Sequence, residues 1–118
     1  MKNKLMELPA TIKGQRMILL ERTAKIEELT ASLKKWEAAE MADITNETDC
    51  NGKPVFSNAE KRASELARRK EALPWVVELE SDISALRYSF ELVRIDMQYN
   101  IDMQENYRAI ARLGGGEV

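Results

Sequence analysis

The apolar positions in the last third of the chain advance in alternating steps of four and three. They run Leu79, Ile83, Leu86, Phe90, Val93, Met97, and the row continues through the polar Asn100 and Gln104 to Tyr107 and Ala111. A mean step of 3.5 residues is the spacing of a helix lying along another helix. A second row on the same segment, Tyr88, Leu92, Ile95, Tyr99, Met103 and Ile110, also follows near-helical spacing. A helix with two apolar rows must bury both, so it needs two neighbours.

The first third supplies one of them. Leu5, Ile12, Leu19, Ile26 and Leu33 fall on a strict seven-residue repeat, with Leu8, Leu29 and Trp36 at the complementary position and Gln15 and Arg22 as its polar exceptions. This pattern predicts an amphipathic helix over about 9–45, with Pro9 in its first turn, where a missing N–H costs nothing. Periodicity stops at Thr45. Residues 46–57 are rich in Asn, Thr, Asp, Gly and Pro and read as an ordered loop around Asn51-Gly52, with a miniature β-hairpin as the alternative. Ser57 and Asn58 are N-cap residues for a short helix over 58–72. Its expected inner face is Ala59, Ala63, Leu66, Lys70 and Leu73, and its outer face Lys61, Arg62, Arg68 and Arg69. Leu73, preceding Pro74, is pushed out of helical geometry, so a break is expected there and a last helix over 74–113. Gly114-Gly115-Gly116 ends it, and 114–118 is expected to be a disordered tail.

The expected fold is therefore all-α: a single domain over 1–113 built as a long antiparallel, coiled-coil-like helical hairpin with a short middle helix. If Trp36 lies near Leu79, facing residue numbers sum to about 115, which sets Leu8 by Tyr107, Arg22 by Val93 and Gln15 by Asn100. The interruptions of the two seams then meet as one polar layer, a device that fixes register. The hairpin leaves Tyr88, Leu92, Ile95, Tyr99 and Met103 in water. Burying each such side chain is worth roughly 1.5–3 kcal/mol, so a homo-oligomer, dimer or tetramer, forming a helix bundle is expected.

Composition narrows the chemistry. The 118 residues hold 18 basic and 20 acidic side chains, a net charge of −2, which gives no global attraction to nucleic acid or an anionic membrane. There is no His, the commonest general base and zinc ligand. No phosphate-cradling glycine motif is present either. Glu78, Glu80, Asp82, Asp96 and Asp102 read as solvated charges, and the expectation is a protein that is not an enzyme and takes no metal or cofactor. A single cysteine, Cys50, fits a reducing compartment. No apolar run reaches membrane-spanning length and no signal peptide is visible, so a cytoplasmic protein is expected. Against this background the one basic island is Lys61, Arg62, Arg68, Arg69 and Lys70, a candidate surface for nucleic acid or an acidic partner. Glu65, four residues from both Lys61 and Arg69, is placed to neutralise part of it.

The arrangement of a long helix, Asn51-Gly52-Lys53, Ser57-Asn58-Ala59-Glu60-Lys61-Arg62, Arg68-Arg69 and a proline-started helix resembles small helical proteins of phages and prophages across most of the chain. Such proteins tend to be encoded beside single-strand-annealing recombination proteins. The resemblance implies a phage origin and an accessory role in DNA recombination or replication, with DNA or a recombination protein as partner. Leu73 stands where those proteins carry an acidic residue. The alternative expectation is an adaptor or host-defence antagonist that binds protein alone. The chain is also similar in length and hairpin plan to the β-type prefoldin subunit, which implies a chaperone role, although 46–57 is short for that subunit's β-hairpin.

Overall fold

The computed structural model describes residues 2–114, with side chains described from Glu7 onward. Three helices account for nearly all of it: α1 (Lys2–Asn46), α2 (Ala59–Ala72) and α3 (Pro74–Leu113). The fold is all-α, a helical hairpin of two long helices with a short one between them. No described helix is long and apolar enough to cross a membrane.

The helix boundaries follow local chemistry. α1 starts upstream of the expected position and carries Pro9 inside it, where the backbone bond that Pro9 cannot donate is forgone. After α1 the chain turns sharply. The Gly52 N–H donates to the Asp49 carbonyl (3.0 Å), the Asp49 N–H to the Lys53 carbonyl (2.8 Å) and the Val55 N–H to the Glu47 carbonyl (3.0 Å). Asp49 Oδ1 accepts from the N–H groups of Asn51 and Lys53, holding the turn from inside. Gly52 has a φ of 78°, a left-handed backbone that favours glycine. The result is a single antiparallel bridge between Thr48 and Pro54, a hairpin turn without strands.

Asn58 caps α2, its extended backbone letting Oδ1 accept from the Lys61 N–H at 2.8 Å, the usual way an Asn satisfies a helix's first N–H groups. Leu73 is extended, with φ -109° and ψ 106°, as a residue before proline must be. Pro74 opens α3. The Leu73 carbonyl then accepts the N–H groups of Val76 and Val77, so one residue both ends α2 and starts α3. The Gly114 N–H closes the last turn onto the Ile110 carbonyl (2.8 Å). The rest of the expected disordered tail, 115–118, lies outside the described residues, as does the side chain of Leu5.

Two compact units are built from these helices: one joins the stretch up to Lys25 with the stretch from Leu86 onward, the other is Ile26–Ala85. In the first, α1 buries Leu8 and Ile12, and Gln15, Leu19 and Arg22 are half-buried. On α3 the whole expected row from Leu86 to Ala111 is half-buried. The polar layer forms: Asn100 Nδ2 donates to Gln15 Oε1 (3.1 Å), and Gln15 Nε2 donates to Asp96 Oδ2 (2.8 Å). One amide thus uses both ends, which removes most of the cost of placing it in an apolar seam. Arg22, the other polar exception, is half-buried with an Nε that makes no hydrogen bond. In the second unit Ile44, Val76 and Ile83 are the buried core. There Trp36 meets Trp75 edge to face, with ring centroids 5.6 Å apart, a favoured geometry for two aromatic rings. The contact falls one turn before the expected Leu79.

Candidate functional site: the basic helix and the outer face of α3

The five cations of the basic segment do not share a surface. α2 is rotated from the expected setting: Arg62, Glu65, Leu66, Arg69 and Lys70 are half-buried, whereas Ala59 and Ala63, expected inside, are exposed together with Lys61 and Arg68. The physical reason lies on α1. Its last turns carry Glu37, Glu40 and Asp43, followed by Glu47, and facing them an arginine gains more than an alanine does.

Arg69 collects four carboxylates. Its Nη1 lies 3.0 Å from Glu40 and 2.8 Å from Asp43, its Nη2 3.3 Å from Glu47 and its Nε 3.0 Å from Glu65. Lys70 Nζ is 2.9 Å from Glu37 and 4.0 Å from Glu80. Arg62 donates to the Phe56 carbonyl (3.3 Å), tying α2 to the loop before it. Arg68 holds Glu65 in a two-bond fork, one bond 2.9 Å long from its Nε, the bidentate geometry in which guanidinium and carboxylate bind best. Lys61 lies 3.5 Å from Ser57 Oγ.

Titration follows the same geometry. The hydrogen bonds from Arg68, and then from Arg69, hold the Glu65 carboxyl down at about 2, below its usual 4.5, because they favour its charged form. Glu65 in turn raises Arg68, while Asp43, Glu40 and Glu65 raise Arg69. Arg69 and Lys70 are both held in ion pairs with carboxylates of α1 and of the segments around it. Of the five, Lys61 and Arg68 face solvent, on the rim of an open groove of about 650 Å³ between α2 and the preceding loop. The carboxylates around Arg69 ligate a guanidinium, and among the described residues no group of three or more His, Cys, Asp or Glu is placed to hold a metal ion.

The outer face of α3 is the other candidate, and it lies within the first unit. Tyr88, Leu92, Ile95 and Tyr99 are all more than half exposed, and Met103 is half-buried. These positions stand on the side of the helix opposite the packed row of Phe90, Val93 and Met97. Glu91 and Arg94 flank the row and bond each other (2.9 Å), which raises Arg94 and leaves that edge nearly neutral. Contiguous exposed apolar side chains of this size are characteristic of association surfaces. The same unit has an apolar groove of about 350 Å³ lined by Leu19, Leu20 and Phe90, with Arg16 and Thr23 at its edge. Comparison with family models, with curated proteins and with solved structures gives no match.

Proposed function

We propose that this chain is a non-enzymatic helical protein that works by associating with a protein surface through the outer face of α3. One observation carries the reading: four large apolar side chains in a row, Tyr88, Leu92, Ile95 and Tyr99, stand more than half exposed on a helix already packed along its other side. Leaving such a row in water forfeits a large hydrophobic term, and covering it recovers that term. An environment-sensitive fluorophore on Ile95→Cys, in a Cys50→Ser background, tests this. Its emission is expected to shift to the blue as the protein is concentrated, while the same probe on the exposed Arg108→Cys stays unshifted. Water-like emission from position 95 at every concentration overturns the reading.

A second reading is an accessory factor in phage or prophage DNA recombination or replication. It draws on Lys61 and Arg68, the two cations that face solvent beside the groove. Two cations, one of them already paired with Glu65, are few for phosphate binding, which scales with the number of charges neutralised. The expected result is no measurable binding of single-stranded or duplex DNA at low ionic strength. Affinity that falls steeply with salt and disappears in Lys61→Ala/Arg68→Ala would establish this reading instead.

A further inference from the structure

The outer row of α3 has an internal symmetry that names its occupant. Tyr88, Leu92, Ile95 and Tyr99 are spaced four, three, four: an aromatic, two aliphatics and an aromatic, the same from either end. A closed two-fold interface requires a patch that complements itself under reversal, and an antiparallel helix pair is that reversal. We propose that a second copy of this chain covers the face, its α3 antiparallel to the first, with the two-fold axis between Leu92 and Ile95. Each Leu92 then meets the partner copy's Ile95, and each Tyr88 the partner copy's Tyr99. This inference rests on the association reading above and specifies its partner.

The flanking residues fit the same pairing. Beside the row on one edge Glu91 comes opposite Gln98, and on the other Ser89 comes opposite Asp96, so no like charges face each other. Glu91 is further neutralised by Arg94 of its own chain. After Tyr99 the same four-and-three spacing falls on Asp102 and Asn106, where the polar rim begins, with the half-buried Met103 at its edge. Tyrosines suit the outer positions, because the rings are covered while the hydroxyls reach water.

The area suffices for a small but specific dimer. Tyr88 and Tyr99 are 69% and 61% exposed, and Leu92 and Ile95 51% and 57%. With an aromatic side chain offering about 150–250 Å², these four present roughly 450 Å² per copy, or roughly 900 Å² for the pair. The flanking residues bring the total to the roughly 1,000 Å² that a specific interface needs.

The test uses the full chain in a Cys50→Ser background. Sedimentation across about 1–100 µM is expected to show a dimer whose dissociation constant rises at least about 100-fold in Leu92→Glu/Ile95→Glu, with helicity by circular dichroism unchanged. Oxidative cross-linking reads the orientation: a mixture of Tyr88→Cys and Tyr99→Cys chains should couple to each other in preference to themselves. Self-coupling of Tyr88→Cys chains, or an assembly larger than a dimer that Leu92→Glu/Ile95→Glu still dissolves, overturns the antiparallel pair and leaves the association reading standing. An assembly that survives Leu92→Glu/Ile95→Glu overturns both. A monomer at every concentration overturns the second copy as occupant and, with position 95 then left in water, the association reading as well.

Discussion

Ile44→Ala is expected to destabilise the protein by about 2–4 kcal/mol, the cost of removing a fully enclosed aliphatic side chain and leaving a cavity. Among the described residues Ile44 and Val76 are the two large side chains with no exposure at all, and both belong to the Ile26–Ala85 unit. Helical hairpins of this kind have thin cores in which most seam residues are only half-buried, so the few enclosed positions carry an outsized share of the transfer free energy. The turns around Ile44 also carry Glu40, Asp43 and Glu47 to Arg69 of α2, and a collapse at Ile44 would disturb that ion-pair cage as well. The control is Leu20→Ala. Leu20 is equally aliphatic but 70% exposed. Its loss should stay within about 0.5 kcal/mol, the usual range for a surface substitution. Chemical denaturation of the two variants makes the comparison, and hydrogen exchange in Ile44→Ala should show faster opening within Ile26–Ala85. Equal losses in the two variants would mean that the core lies elsewhere.

Much of this fold is written in the periodicity of the chain. The step of 3.5 along α3 identified Leu79, Ile83, Leu86, Phe90, Val93 and Met97 as one face, and none of them is exposed. The two breaks in the seams, Gln15 and Asn100, were matched by counting along antiparallel helices, and they share a hydrogen bond. Asn58 and the Leu73-Pro74 step were legible because capping and proline sterics act over one turn of chain.

What the pattern left obscure was the rotation of α2. Over fourteen residues its alanines and its leucine compete with arginines and lysines for the inner side, and local spacing alone does not decide. The deciding signal stood on α1. Continuing its seven-residue register beyond Leu33 and Trp36 gives Glu40, Asp43 and Glu47, so the seam turns from aliphatic to acidic. An acidic seam demands a cation, and Arg69 supplies it from 22 to 29 residues away along the chain. The self-matching row on α3 was visible as apolar spacing, but only its exposure shows that no other part of the described chain covers it.

Arg69→Met should therefore cost more than the loss of any other charged side chain of α2, and its cost should depend on pH in a defined direction. Methionine keeps much of the packing volume and removes the charge, leaving Glu40, Asp43 and Glu47 around a site with no cation. A cluster of carboxylates that loses its counter-charge repels itself, which is worse than never having had the pair. Glu65 retains its fork to Arg68, so the loss concentrates on the α1 carboxylates. In the wild type the carboxyl of Glu65 is depressed from 4.5 to about 2. The stability it contributes is present above its ordinary value and disappears as the pH falls toward the depressed one. Acid that neutralises carboxylates removes the attraction to Arg69 in the wild type and the mutual repulsion in Arg69→Met alike. The gap in melting temperature between the two proteins should consequently be widest near neutral pH, narrow on acidification and narrow with added salt. Arg68→Ala, which removes the fork to Glu65 on the exposed side of α2, should lower the melting temperature less at neutral pH. A gap for Arg69→Met that stays constant from neutral pH down through the carboxylate range would show that Arg69 holds α2 by packing rather than by the charges it gathers.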